Sequence, residues 1–185
     1  HEGGHAIVAF NVKATDPIHK ATIIPRGRAL GMVMQLPERD KLSMSLEQMI
    51  SRLAIMMGGR VAEELIFGRQ KVTSGASSDI ESANTLLHTA MLDMGLYGSL
   101  ATGSNTDLRN WRDEGISLWT AINTELGKLY DRAAEIVDRR RGDIFKLVAV
   151  LLEERVVTGD RLAEIVGGTE PTDMPVDPDQ PLGRP

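Results

Sequence analysis

Two histidines flanking a glutamate open the chain, as His1-Glu2-Gly3-Gly4-His5. On a helix, residues four apart lie only about 40° apart around the axis, so His1 and His5 project from one face. Two imidazoles so placed can bind one metal ion, and Glu2 sits beside them to take a proton from water at that metal. This is the chemistry of zinc-assisted hydrolysis. The apolar run Ala6-Ile7-Val8-Ala9-Phe10 follows directly and predicts a buried helix rather than an exposed polar loop. The plainer alternative is a pair of core histidines satisfied by hydrogen bonds. Gly3 and Gly4 each weaken the helix by roughly 1 kcal/mol relative to alanine, so close packing must support it.

A catalytic zinc needs a third protein ligand and one open position. Cysteine is absent, which excludes disulfides and thiolate zinc sites and leaves histidine or carboxylate. His19 stands just before a predicted strand, and His88 lies on the far side of the helix that begins near Asp79. Both read as surface or core histidines. Glu63 and Glu64 lie on a predicted helix after Gly58-Gly59-Arg60, from which one carboxylate could reach the metal. Asp79 begins a helix after the small-residue run Thr73-Ser74-Gly75-Ala76-Ser77-Ser78, where backbone N–H groups and Ser78 can orient it. Acids also favour a first helical turn for the dipole alone. Spacing leaves Asp79 and the Glu63/Glu64 pair open as third ligand.

The elements that position these groups read as mainly helical, with a small sheet or hairpin near the N-terminus. After the first helix, Asp16-Pro17 marks a break, and residues 21–24 form a short strand closed by Pro25. Arg26-Gly27-Arg28 is a turn, and residues 31–36 form a second strand ending at Pro37. The pair makes a hairpin or offers an edge to another chain. Residues 43–57 have helical spacing, with Leu46, Met49, Ile50, Leu53 and Met57 on one face. Gly58-Gly59 is expected to interrupt that helix, residues 60–67 to continue it, and Gly68 to stop it. Ser78 with Glu81 is a capping-box signature for a helix from Asp79 to about Met94. A glycine-rich loop over 95–103 precedes helices over 113–140, 143–154 and 160–166, the last capped by Thr158 or Asp160. One domain is expected over 1–168. The tail, 169–185, concentrates most of the chain's 8 prolines among aspartates and is expected to be disordered.

Bulk properties agree with one globular core: 185 residues, 42% hydrophobic, 25% charged. A net charge of −5 with no basic patch argues against nucleic acid as a partner. No segment approaches the run of about 18 apolar residues that spans a bilayer, and no stretch of this chain reads as a signal peptide. No Gly-x-x-x-x-Gly-Lys-Ser/Thr loop occurs, so this chain does not bind ATP in that manner. It lacks an initiating Met and opens at its own first candidate ligand, and it is expected to be part of a longer polypeptide. Met32, Met34, Met44, Met49, Met56 and Met57 read as core filler, with an assembly surface as the alternative. The charge run Asp138-Arg139-Arg140-Arg141 fits a solvated helix end.

His1-Glu2-Gly3-Gly4-His5-Ala6, followed by Asp16-Pro17-Ile18-His19-Lys20-Ala21-Thr22-Ile23-Ile24-Pro25-Arg26-Gly27, closely resembles the peptidase domain of FtsH, the membrane-anchored, ATP-dependent zinc metalloprotease of bacteria and organelles. Gly58-Gly59-Arg60-Val61-Ala62-Glu63-Glu64 and Thr73-Ser74-Gly75-Ala76-Ser77-Ser78-Asp79-Ile80 are similar to further signatures of that family, in the same order. The match is strong over about the first 95 residues and looser after Met94. Gly3 stands where the family usually has Ala. The resemblance implies that Asp79 is the third zinc ligand beside His1 and His5, with Glu63 and Glu64 as supporting residues and Glu2 as general base. It further implies one Zn2+ per chain and hydrolysis of unfolded or misfolded proteins. An upstream AAA+ module that binds ATP and Mg2+ and a homo-hexameric ring are implied as well. So is a membrane anchor in the bacterial inner or plasma membrane, with the peptidase domain facing the cytoplasm. The rival from another class is a catalytically degenerate module kept for ring assembly or substrate holding. The intact set His1, Glu2, His5 and Asp79 speaks against it, since assembly alone needs none of them.

Overall fold

The computed structural model describes residues 1–27, 30–36, 43–97 and 115–167. The expected tail over 169–185, the loop over 98–103, the helix start at 113 and the strand end at Pro37 lie outside these residues.

The opening motif lies on α1, Glu2–Asn11, whose residues Gly3 to Ala9 are all buried. Two further helices flank the site, α2 at Leu46–Phe67 and α3 at Ser77–Leu92. The C-terminal part supplies α4 at Gly115–Arg139, α5 at Arg141–Glu154 and α6 at Gly159–Val166. Ile7, Met49, Leu53, Leu87, Ala133, Leu147 and Leu162 are fully buried in one continuous cluster, so each of α1 to α6 contributes to a single core. Met49 and Met57 belong to that core, and Met44 and Met56 pack at its margin, as the filler reading expected.

Ser45 starts α2 with a reciprocal cap: its hydroxyl accepts from the Gln48 backbone N–H, and the Gln48 side chain accepts from the Ser45 N–H. Gly68, at φ +83°, ends it. Gly58-Gly59 does not interrupt the helix, contrary to the sequence expectation; α2 runs unbroken through both residues. The reason is a helix crossing. A methyl group on Gly58 would stand 2.7 Å from the Gly4 carbonyl oxygen, and one on Gly4 would stand 2.7 Å from the Gly58 carbonyl carbon. Here α1 and α2 touch backbone to backbone. The propensity lost, roughly 1 kcal/mol per glycine, is offset by packing that no larger residue would allow.

Between α2 and α3 the chain makes 3-10 turns at Arg69–Lys71 and Ser74–Ala76. The Thr73 hydroxyl accepts from the Gly75 N–H, and the second turn runs straight into α3. The expected Ser78/Glu81 capping box is therefore not formed: Ala76 holds the cap position, with no side-chain cap, and Ser78 already lies inside the first turn.

The expected hairpin forms between β1, Ile18–Thr22, and β2, Met32–Gln35, with β1 beginning three residues ahead of the predicted strand. A third strand, β3 at Val156–Thr158, was not expected. It pairs antiparallel with the other side of β1, giving the order β2-β1-β3 with Ala21 between Val33 and Val157. Arg155, in the left-handed region at φ 61°, turns the chain from α5 into β3. The result is the expected class, mainly α with a small sheet, closed by a strand from the far end of the chain.

Candidate metal centre

The first residue of the chain and the first full turn of α1 carry His1 and His5 on one side of the helix. Their rings meet edge to face, with centroids 4.7 Å apart. The His5 Nδ1–H donates to the Ile55 carbonyl at 2.7 Å. His1 Nδ1 lies 2.7 Å from Glu63 Oε1, an acceptor, so it too carries a hydrogen. In the neutral rings both Nε2 atoms consequently present lone pairs, and these face each other at 3.1 Å. Asp79 Oδ2 completes a triangle, 3.3 Å from His1 Nε2 and 3.5 Å from His5 Nε2.

That triangle fits a metal. Ligand atoms about 2.0–2.1 Å from a tetrahedral zinc stand about 3.3–3.4 Å from one another. Two imidazole nitrogens and a carboxylate oxygen form a donor set zinc accepts, and three ligands leave one position open. Two lone pairs aimed at each other are otherwise repulsive. Among the described residues, His1, His5 and Asp79 form the group that could hold a metal ion. His19 is exposed on β1 and His88 is half-buried on α3, and neither belongs to that group.

Supporting contacts fix the triangle from several directions. Glu63, buried on α2, accepts from the Thr73 backbone N–H at 3.1 Å and its hydroxyl at 3.2 Å while holding His1. One carboxylate thus ties His1 to the turn that delivers Asp79. Glu64 points elsewhere. It accepts from the Tyr130 hydroxyl on α4 at 2.6 Å and pairs with Arg60 at 3.7 Å. The adjacent glutamates therefore part, one serving the site and the other the scaffold. Gly59 lies flat against the imidazoles: a methyl there would stand 2.5 Å from His5 Nε2 and 2.6 Å from His1 Cε1. Sequence reasoning named neither Gly59, Thr73 nor the Ile55 carbonyl as functional. Thr73 lay in the small-residue run already singled out, whereas a backbone carbonyl leaves no trace in residue type.

The charges are arranged to favour a cation. Burial pushes the Asp79 carboxyl up, but hydrogen bonds and charge from His1 and His5 hold it well below the usual carboxylate range. Glu63 is lowered as well: burial opposes, and the Thr73 N–H and His1 prevail. His1 is raised by its hydrogen bond to Asp79, against burial and with help from Glu63. Glu2 is raised by burial despite the attraction of His5 and His1, which makes it a stronger base when ionised. Away from the centre, burial and then Glu64 push the Tyr130 hydroxyl up to about 12.

Glu2, His1, His5 and Asp79 line one cleft of about 740 Å³. Its apolar wall includes Ile23, Met32, Val33, Met56 and Leu151. Three groups able to hold a metal, an ionisable carboxylate and an apolar wall thus share one open groove.

Comparison with known proteins points the same way. The chain is 49% identical to the ATP-dependent zinc metalloprotease FtsH of Caulobacter vibrioides, across 92% of this chain and 30% of that protein. It is 44% identical to the FtsH of Rickettsia prowazekii, across 91% of this chain and 28% of that protein. Against the ATP-dependent zinc metalloprotease FTSH 9, chloroplastic/mitochondrial, of Oryza sativa subsp. japonica it is 39% identical, across 90% of this chain and 21% of that protein. The chain thus spans under a third of the length of these relatives. Peptidase family M41 matches residues 1–165, the whole span from the first candidate ligand to α6. The chain belongs to peptidase family M41.

Proposed function

We propose that this chain is the zinc-dependent endopeptidase part of a longer, ATP-dependent, membrane-anchored protease that degrades unfolded proteins. The observation that carries the proposal is the triangle of His1 Nε2, His5 Nε2 and Asp79 Oδ2, with sides of 3.1, 3.3 and 3.5 Å, in one cleft with Glu2. These residues would hold one zinc ion per chain. Zinc bound there supplies a Lewis acid for a peptide carbonyl and eases deprotonation of water. Glu2 takes that proton and returns it to the leaving amine. Glu63 keeps the His1 ring in orientation, and the Ile55 carbonyl does the same for His5.

The sheet supplies a seat for the substrate. β2 has no strand partner on its outer edge among the described residues, and Met32, Val33 and Gln35 line the cleft. An extended polypeptide added there is held by main-chain hydrogen bonds, which suits an enzyme of broad selectivity. The relatives' names include ATP dependence, which supports an ATP-using module elsewhere in the longer protein. In this proposal that module is of the AAA+ type, binds ATP with Mg2+ and assembles as a homo-hexamer. No described helix is long and apolar enough to cross a membrane. The anchor in this proposal belongs to another part of the longer chain, in the inner or plasma membrane, with the peptidase facing the cytoplasm.

The test is cleavage of casein by the full natural chain, with zinc present or chelated. Wild type is expected to cleave only with zinc, and Glu2→Gln to lose about 100-fold or more of the rate while keeping its zinc. A folded, zinc-loaded wild type that leaves casein and short unfolded peptides intact would instead indicate the degenerate assembly module.

A further inference from the structure

Gly31 stands immediately before β2 and lines the same cleft as His1, His5 and Asp79, and its missing side chain faces Glu2. A methyl group built on Gly31 would lie 2.6 Å from Glu2 Cγ and 2.7 Å from Glu2 Cδ, and closer still to Oε1. No Cβ tolerates such distances, so one partner would have to move. β2 is poorly placed to do so: Thr22 pairs with Met32, Ala21 with Val33 and Lys20 with Met34, and β1 is held on its other side by β3. The Glu2 backbone is fixed as the first residue of α1, whose following residues are buried. The Glu2 side chain, by contrast, can rotate about its own torsions at small energetic cost. It is the group that would yield.

We propose that Gly31 is a positioning residue for the proton-transfer step, reserving the space in which the Glu2 carboxylate lies. The inference rests on the hydrolytic reading above. Its distinctive consequence is a separation of effects. The three atoms that a Gly31 methyl would meet first all belong to Glu2, so a side chain there displaces the base, and metal binding and folding are expected to survive while turnover does not. Gly59 differs in this respect, because a methyl there would meet the imidazoles themselves. Gly31 also has no positive φ that would strain an alanine. Its requirement for glycine is one of space beside Glu2.

The test compares wild type and Gly31→Ala in the full natural chain, each measured for zinc content, thermal midpoint, and kcat and KM on casein and a short unfolded peptide. Gly31→Ala is expected to keep its zinc, its thermal midpoint and its KM, and to lose about 100-fold in kcat. Added to Glu2→Gln, it is expected to cause no further loss, since the base it displaces is already gone. A kcat within about twofold of wild type would overturn the proposal. So would loss of zinc, loss of the fold, or a rise in KM with kcat retained, each of which assigns Gly31 to another task. If wild type itself binds zinc and cleaves nothing, the hydrolytic reading fails and this inference falls with it. Wild-type cleavage matched by Gly31→Ala removes this inference alone.

Discussion

The two sides of α2 are built on different rules. Toward α1, it presents Gly58, Gly59 and Glu63, and what they meet is backbone, imidazole and a hydrogen-bonded carboxylate–histidine pair. Toward α4, it presents Arg60 and Glu64, which meet Tyr130, while Leu129, Ala133, Ile136 and Val137 of α4 are buried. The first side leaves no room for a methyl at Gly58 or Gly59 and puts the candidate metal-binding groups in the contact. The second uses side chains of ordinary size, with a polar contact at its margin. One helix thus carries a face where geometry is set by close backbone approach and a face where it is set by side-chain packing. Only the first face makes chemistry depend on tenths of an ångström.

Substitutions on each side sharpen that contrast. The largest effect is expected from Gly58→Ala, whose methyl would meet the Gly4 carbonyl at 2.7 Å. Forcing α1 away from α2 is expected to cost about 3 kcal/mol or more, read as a lower denaturation midpoint together with lost zinc. An unchanged midpoint would show that the crossing has slack.

Next comes Glu63→Gln, which replaces the carboxylate that holds His1 and takes both Thr73 donors. Zinc affinity is expected to fall about 10- to 100-fold, measured by chelator competition. On the opposite side, Tyr130→Phe removes the hydrogen bond to Glu64 and is expected to cost only about 1 kcal/mol, with zinc affinity unchanged. Equal effects on zinc from both would erase the distinction between the faces.

A smaller effect is expected from pH. His1 is raised above its ordinary 6.5, chiefly by Asp79, so its protonation stabilises the metal-free fold. That contribution is fully present below 6.5, where the unfolded group is also protonated, and is lost as pH rises through the folded value. Zinc needs His1 unprotonated, so its stabilisation grows over the same window. The gap in thermal midpoint between zinc-loaded and chelated protein should therefore widen from about pH 6 to about pH 8. A gap that is constant or narrows would contradict the arrangement at His1.

Much of this molecule is legible in its residues, and what is not has a common cause. His1, Glu2 and His5 announce themselves because their spacing is local and matches the helix period. The helices and the hairpin are read from periodicity in the same way. Gly58-Gly59 misled because a sequence window registers only their poor helix propensity, while the crossing with Gly4 that explains them involves a residue far away in the chain. β3 was missed because a strand of three residues makes sense only beside β1. Ser78 and Glu81 matched a capping box, but Thr73 and its 3-10 turn had already begun the helix ahead of them. Glu63 and Glu64 could not be told apart, being neighbours whose different partners, His1 and Tyr130, lie in other elements. Asp79 was selected over them by family resemblance rather than by spacing, and the structure brings it within 3.5 Å of both imidazoles.

Whether His1, His5 and Asp79 together hold one zinc ion, as we claim, is decided by zinc stoichiometry and affinity in the full natural chain beside Asp79→Asn. One zinc per wild-type chain is expected, with affinity reduced more than about 100-fold in Asp79→Asn while the protein remains folded. Zinc bound as tightly by Asp79→Asn as by wild type would show that Asp79 is not a ligand and would contradict the claim.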